Sequence, residues 1–456
     1  MSRVAVVAPS WRVRDVLVVL ARAGCVEFVG NLPSPEGEEA EALGRLRHLG
    51  AADGVTPSLL ARTPDVAALE HAGERGLLAG EVELGRHARL AVTHGSFIAW
   101  VGWAPAAEIG PLNEQLGEVG SAVVELPQPA WVDPPTLFQA IALERPFRPL
   151  VQSYGTARYR DIDPTPFTAL SFVAMFGMMF GDVGHGLVLT LLALWLRRRR
   201  RGRLAAFQAL WAIPFAAGLA GACFGLLYGE AFGPTHVVPR LWLDPLDRPV
   251  PLLLVAVAVG AVLLIVSYLL GIVNRWRESG FAQALFDQSG ISGLTMFVGA
   301  GIFAGGVYWH QVAVEILGAV IAVIGVALLG LGLTLEAGRG AGAVTQAGVE
   351  LVDAVIRLAS NLISFTRLAA FGLMHAALGL VVFEAAQALW GGVLGGLAAA
   401  AVFVLGNLVA FTLEVLVTGV QALRLEYYEL FSRIFSGEGH AFAPWSLPVL
   451  PIEEEP

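Results

Sequence analysis

Lysine does not occur in this 456-residue chain, so all 29 basic side chains are arginine. A phosphate-binding loop of the G-x-x-x-x-G-K-[ST] kind needs that lysine, which excludes nucleotide hydrolysis by such a loop. Cysteine is almost as scarce. Cys25 and Cys223 stand in regions of different character, which leaves no disulfide framework and no cysteine-built metal site. The net charge of −9 offers no basic surface for nucleic acid. The chain also lacks a basic start followed by an apolar core and a small-residue cleavage site, so no secretory signal is visible and the first region is expected in the cytoplasm.

What is abundant is apolar sequence. With 56% hydrophobic residues, 15% charge and 53 glycines, the composition is that of a polytopic membrane protein and not of an ordinary soluble enzyme. The apolarity is uneven, and three regions are expected: a soluble domain and linker over 1–160, a membrane domain over 161–440 and a cytoplasmic tail over 441–456.

In the first region, 4–9 reads as a strand, 12–23 as an amphipathic helix and 25–29 as a strand. A similar unit recurs at 90–103 (strand), 106–116 (helix) and 121–126 (strand), which predicts a small two-layer α/β sandwich. The charged, Ala/Leu/Glu-rich stretch 36–86 predicts a short helical hairpin interrupted around 54–57.

Apolar blocks follow at 167–196, 204–228, 251–273, 289–309, 311–335, 346–390 and 393–435. Arginine clusters at Arg197 to Arg201 with Arg203, at Arg275 and Arg277, and at Arg339 all belong on the cytoplasmic side by the positive-inside rule. That is consistent only if 167–196 is a hairpin turning at Gly181-Asp182-Val183-Gly184, whose arms span about 22 Å each. One long tilted helix is the alternative. The hairpin makes the membrane domain all-α with about eight segments, two of them long tilted C-terminal helices, with both termini cytoplasmic.

Ionisable side chains inside an apolar block cost about 2.5 to 3.5 kcal/mol each on insertion scales, so each asks for a functional account. In the seventh segment Ser360, Ser364 and Arg367 share one helix face, with His375 about two turns further on. In the eighth, Asn407, Glu414 and Gln421 recur every seven residues, and Arg424 lies one turn beyond. A helix-packing ion pair is the plain alternative, but the number of polar groups exceeds what such a pair requires. Asp182 and His185 stand at the hairpin turn, where Asp182 either caps the next helix or takes part in transport. Glu230, Asp244 and Asp247 read as solvated loop surface, while Asp353 and Glu384 are undecided between channel mouth and helix end.

These residues carry a resemblance. The run Ala359-Ser-Asn-Leu-Ile-Ser-Phe-Thr-Arg367-Leu-Ala-Ala-Phe-Gly-Leu-Met-His375-Ala resembles the penultimate-helix motif of the V/A-type ATPase membrane subunit called a or I. Leu413-Glu414, Gln421-Ala-Leu-Arg424-Leu-Glu426-Tyr-Tyr-Glu429 and the stretch Phe435 to Pro444 are similar to its last helix and tail. Asp163-Pro-Thr-Pro-Phe and Phe176-Gly-Met-Met-Phe-Gly181-Asp182-Val-Gly184-His185-Gly186 supply a third match, in order.

The resemblance implies a stator that couples H⁺ or Na⁺ translocation to ATP hydrolysis or synthesis elsewhere in a rotary complex. Arg367 would face a ring of carboxylate-bearing proteolipid (c/L) subunits, with Arg424, Glu414, Gln421 and His375 serving the ion path. In the expected topology Glu414, Asn407 and His375 sit toward the non-cytoplasmic side of Arg367, where one half-channel would open, and the opposite one would open near Ser360, Asn361 and Glu426, with Ser364, Asp182 and His185 as further possible lining. Peripheral-stalk subunits, a central-stalk adaptor and the lipid bilayer are the other implied partners, with no nucleotide, cofactor or metal on this chain. The hairpin region of the soluble domain is shorter than in typical relatives, which puts its stalk contacts in question. A stand-alone secondary transporter is the competing reading, disfavoured by the lack of an internal repeat. A passive assembly bracket is another, and Arg367, Glu414 and Arg424 argue against it. The Arg-, Ala- and Gly-rich, lysine-free composition points to a prokaryote.

Overall fold

Alternating apolar residues at the start of the chain form strand β1 (Ser2–Pro9), whose Val4, Val6 and Ala8 turn inward. The structure is a computed structural model and describes residues 1–30, 32, 38–50, 55–129, 132–137, 145–199, 208–235, 237–337 and 341–450. The chain divides into two compact units, one formed by residues up to Leu137 together with those from Gly439, the other by 138–438.

In the first unit, β1 leads through α1 (Val13–Ala23) to β2 (Glu27–Phe28). Gly24 ends α1 in the left-handed region, at φ 58°, and returns its N–H to the Leu20 carbonyl. Then come α2 (Glu38–His48), β3 (Leu59–Leu60), α3 (Val66–Ala72) and α4 (Arg75–Ala88). They are followed by β4 (Val92–His94), β5 (Phe97–Ala104), α5 (Ile109–Glu118) and β6 (Ala122–Leu126). The sheet runs β2-β5-β1-β6, with β4 also on β5, and all these pairings are antiparallel. Its core packs Val4, Val6, Ile98 and Trp100 against Val16, Leu17 and Leu20 of α1 and Leu112 and Leu116 of α5.

The strand expected over 90–103 is instead a hairpin, because Gly95 at φ 61° lets the chain reverse between β4 and β5. Over the stretch expected to be a helical hairpin the chain forms α2, β3, α3 and α4, with α2 and α4 in contact, and Arg14 of α1 holds Glu81 of α4 by a two-pronged bridge at 2.6 and 2.7 Å. Gly54, part of its expected interruption, lies outside the described residues.

The segment from Gly439 completes this unit. Strand β7 (Val449–Leu450) pairs parallel with β3, and Trp445 stacks on His87, with ring centroids 4.3 Å apart. Burial pushes the His87 imidazole below its ordinary value. The stability it contributes is therefore full above its unfolded pKa of about 6.5 and is lost as pH falls through the lower folded value. Protection factors of α4 amides in the intact protein should fall as pH drops below about 6.5, and His87→Gln should flatten that response. An unchanged slope would contradict the assignment.

The second unit begins with a linker containing α6 (Arg148–Gln152). Asp163 accepts both the backbone N–H and the hydroxyl of Thr165, and Pro164 and Pro166 stand at the start of α7 (Thr165–Phe180). Gly181 and Asp182 break the helix, and α8 (Val183–Arg198) follows. Both arms pack on α9 (Ala212–Tyr228). Gly177 of α7 and Gly181 just beyond it meet Ala220 and Tyr228 in ascending order, whereas Gly186 of α8 meets Ala222 and Thr190 meets Gly218 in descending order. The arms thus run in opposite directions along α9, as a hairpin requires and one long helix does not. The approach is backbone to backbone, since a Cβ on Gly225 would stand 2.3 Å from the Val183 nitrogen.

Helices α10 (Pro249–Ser279), α11 (Phe281–Phe286), α12 (Ile291–Trp309) and α13 (Val312–Ala337) come next. The last two form a close antiparallel pair through Gly299, Gly306, Gly318 and Gly325. The penultimate span is not one straight helix. It is α14 (Ala341–Ser364) and α15 (Thr366–Ala388), meeting at the fully buried Phe365, whose ring occupies the space left by Gly260 of α10. Helix α16 (Gly392–Leu425) passes into a π-helical turn, Glu426–Phe431, and then α17 (Ser432–Ile434).

Among the described residues, six helical spans are long and apolar enough to cross a bilayer: Gln208–Tyr228, Pro249–Ser279, Phe281–Trp309, Val312–Ala337, Val344–Ala388 and Gly392–Ile434. The last, with 43 residues, would reach about 65 Å if straight, twice the ~30 Å hydrocarbon core, so it is steeply tilted or projects beyond it. Arg200, Arg201, Arg203 and Arg339 of the arginine clusters lie outside the described residues.

Candidate functional site

Two groups of buried polar side chains sit within the second unit. The first gathers around His375 of α15. Its Nδ1–H donates to Glu414 Oε2 of α16 in a very short contact between two buried groups. On the other side of the ring, Nε2 faces Asp182 Oδ2 at 3.6 Å and Glu230 Oε2 at 4.0 Å. The His185 ring stands edge-on to His375, with centroids 5.5 Å apart. Asn407 lies beside His185, and its amide donates to the Phe403 carbonyl.

Local geometry explains how a hairpin turn enters this group. Asp182 accepts the His185 N–H through Oδ1, the capping role expected of it, and accepts the Gly233 N–H through Oδ2. It therefore caps a helix and joins the cluster at once. The expectation that Glu230 is solvated surface is wrong, since it is 4% exposed. Gly229, left-handed at φ 77°, folds the chain back after α9 so that the Glu230 carbonyl accepts the Val183 N–H. Asp244 and Asp247 instead face Arg240 at 3.2 and 3.0 Å, and Asp247 is exposed.

The second group lies further along α16 and in its π-helical turn. Glu426 is fully buried, and the Ser171 hydroxyl of α7 donates to its carboxylate at 2.8 Å, with Thr168 beside it. Glu429 lies in the field of Arg367, Arg424 and Arg433, next to Ser364. Arg433 donates to the Tyr268 hydroxyl at 2.5 Å and covers the ring of Tyr268, 4.5 Å from its centroid. Asn361, with its amide oriented to satisfy both neighbours, accepts from Arg433 and donates to the Arg357 carbonyl. At 1.5 Å per residue Glu414 and Glu426 are about 18 Å apart along the helix, and Arg367 is about 12 Å before His375 on its own.

Arg367 is half-buried, and its Nη1 is buried with no hydrogen-bond partner among the described residues; the same is true of Gln421 Oε1. An unpaired buried guanidinium nitrogen is expensive to leave unsatisfied, which points to a partner from another chain or to water. Arg424 and Ser360 are exposed, and Ser364 donates to the Ser360 carbonyl. Arg357 pairs with Asp353 at 2.7 Å as a helix-surface ion pair, and Glu384 is exposed. Glu414 is hydrogen-bonded to His375, and the carboxylate near Arg367 and Arg424 is Glu429.

The residues that sequence reasoning missed are Glu230, Ser171, Thr168, Tyr268 and Arg433. Glu426, Glu429 and Arg433 do recur at i, i+3, i+7, a face that could have been read from the spacing. The other contacts join residues far apart in the chain.

Fold and site define a polytopic α-helical membrane protein that buries histidine and carboxylate side chains between its last two spans and a short helical hairpin. The family described as the V-type ATPase 116kDa subunit family matches residues 88–233, which include that hairpin. The chain is 28% identical over 378 residues to an A-type ATP synthase subunit I of Thermococcus kodakarensis, covering 78% of this chain and 55% of the relative. With the subunit I of Pyrococcus horikoshii it shares 28% over 389 residues, 81% of this chain and 57% of the other; with that of Aeropyrum pernix, 30% over 369 residues, 70% and 52%. The chain belongs to the V-type ATPase 116kDa subunit family. It spans a little over half the length of the curated relatives it matches.

Proposed function

We propose that this chain is the membrane stator subunit of a V/A-type rotary ATPase, carrying H⁺ or Na⁺ past a turning ring of carboxylate-bearing subunits. The observation that carries the reading is Arg367, whose buried Nη1 has no hydrogen-bond partner among the described residues, on the helix that also bears His375 and beside Glu429 of the second buried group. Relatives named A-type ATP synthase subunit I support membership of an ATPase complex. In this reading the chain hydrolyses no ATP itself.

An arginine does not give up its proton at any working pH, so Arg367 favours the ionised form of each ring carboxylate that reaches it. The carboxylate releases its ion before passing, and a free cation is repelled by the same charge. The His375–Glu414–Asp182–His185 group, with Asn407, serves as the half-channel on the non-cytoplasmic side. The Glu426–Glu429–Asn361 group, near Ser360 and Ser364, serves as the one on the cytoplasmic side, with Gln421 and Arg424 between. The two hairpin arms add to the six long spans to give eight segments, with both termini cytoplasmic. The first unit contacts a peripheral stalk, and the rotor adaptor lies beneath the ring.

The face of α15 that bears Arg367 continues through Ala370, Met374, Leu378 and Val381, all exposed. That apolar stripe fits a ring helix. In the assembled complex, Met374→Cys should form a disulfide in high yield with a cysteine one turn from the ring carboxylate, while Leu191→Cys on α8, 64% exposed, should not. Equal yields at both positions would contradict the assigned ring-facing surface.

A further inference from the structure

The His375 cluster contains more unpaired ligand atoms than a proton path requires. His185 Nδ1 and Nε2, His375 Nε2 and Glu230 Oε2 are all buried and have no hydrogen-bond partner among the described residues. Asp182, His185 and His375 each offer a donor atom, and these atoms lie within 4.8 Å of one another. His375 Nε2 is 3.6 Å from Asp182 Oδ2 and 4.0 Å from Glu230 Oε2. Donors around a tetrahedral zinc ion at about 2.0 to 2.1 Å are about 3.3 Å apart, so small side-chain movements would close the Asp182–His185–His375 set, and Glu230, 4.0 Å from His375 Nε2, would turn in as the fourth donor.

We propose that Asp182, His185, His375 and Glu230 form a binding site for a divalent transition metal of the zinc type. Two imidazoles and two carboxylates give a charge-neutral complex with such an ion, and the imidazoles disfavour the hard cations Mg²⁺ and Ca²⁺. The surroundings are those of a metal site. Glu414 engages His375 at Nδ1, so that Nε2, which faces Asp182 and Glu230, is the nitrogen that would bind the metal as the ion displaces its proton. Asp182 Oδ2 is itself oriented by the Gly233 N–H. The four ligands come from the hairpin turn, α8, the segment after α9 and α15, so they are held by different elements. A largely apolar open cavity of about 310 Å³, lined by His185 and Asn407 with Phe232, Phe403, Leu408 and Phe411, adjoins the cluster.

Binding follows from these atoms alone. Its consequence rests on the half-channel reading above: a metal ion seated there would occupy the positions through which the transported ion passes and arrest uptake.

The test is equilibrium dialysis of the purified complex against Zn²⁺, with bound metal measured by mass spectrometry, and Co²⁺ as a spectroscopic probe. Wild type should hold one ion per stator chain above the background of surface histidines and show the intense visible bands of tetrahedral Co²⁺. His185→Ala should bind at least tenfold more weakly, and Glu414→Gln about 10- to 100-fold more weakly, the range for loss of an orienting carboxylate. Equal zinc in wild type and His185→Ala would overturn the site, as would wild-type Co²⁺ without tetrahedral bands, a result that needs no variant to fold. Zinc bound at the site with ion uptake undiminished would uphold the metal site and contradict the half-channel role of the cluster. A failure to bind would contradict the metal site and leave that role standing.

Discussion

Vesicles containing the Arg367→Gln complex should show no measurable ion uptake on addition of ATP, while Arg357→Gln vesicles should pump as wild type does. A guanidinium about 4 Å from a carboxylate at an effective dielectric of about 20 contributes about 4 kcal/mol to keeping that carboxylate ionised. Each 1.4 kcal/mol is a factor of ten, so glutamine should lower the ion-releasing population about a thousandfold. The buried Nη1 has no hydrogen-bond partner among the described residues and is left for that interaction, while Glu429 lies in the field of the same guanidinium. Arg357 is the fitting control because it lies on the same span, exposed, and is already paired with Asp353. Normal pumping by an assembled Arg367→Gln complex would reduce Arg367 to a packing residue.

The second large effect is expected at the His375–Glu414 pair. A hydrogen bond to a charged group contributes about 1.5 to 3 kcal/mol, and leaving either member unpaired in a buried site costs about as much. Glu414→Gln and His375→Ala should each slow uptake about 10- to 100-fold, measured in the same vesicles at equal complex content. Because the two side chains act on one another, the double variant should be little worse than either single one. Full additivity would mean that they serve separate steps, and the shared hydrogen bond would then have no part in transport.

Some of this arrangement is legible from the sequence and some is not, for physical reasons. A charge in an apolar run is conspicuous because its burial is costly, so Arg367, His375, Glu414 and Asp182 could be picked out one by one. Their grouping was less visible. His375 and Glu414 meet because α15 and α16 pack together, but the entry of Glu230 depends on the left-handed Gly229 after α9, and a loop acid otherwise reads as solvated. The cradle for Glu426 comes from Ser171, 255 residues earlier, and no local periodicity encodes such a pairing. The break at Phe365 has the same origin, since the space for its ring is made by Gly260 on another helix. In the first unit, strand and helix periodicities gave most of the elements, while the reversal at Gly95, marked only by the short polar run Thr93-His94-Gly95-Ser96, was read through as one strand.

The central claim is that two half-channels approach Arg367 from opposite faces without joining. Its most direct test is side-specific labelling of single cysteines in sealed vesicles, in a background where the exposed Cys223 is replaced by serine and the buried Cys25 is kept. With a membrane-impermeant thiol reagent, the account predicts that Asn407→Cys reacts only from the non-cytoplasmic face and Ser360→Cys only from the cytoplasmic face. Reaction of both from the same face, or of either from both faces, would contradict it.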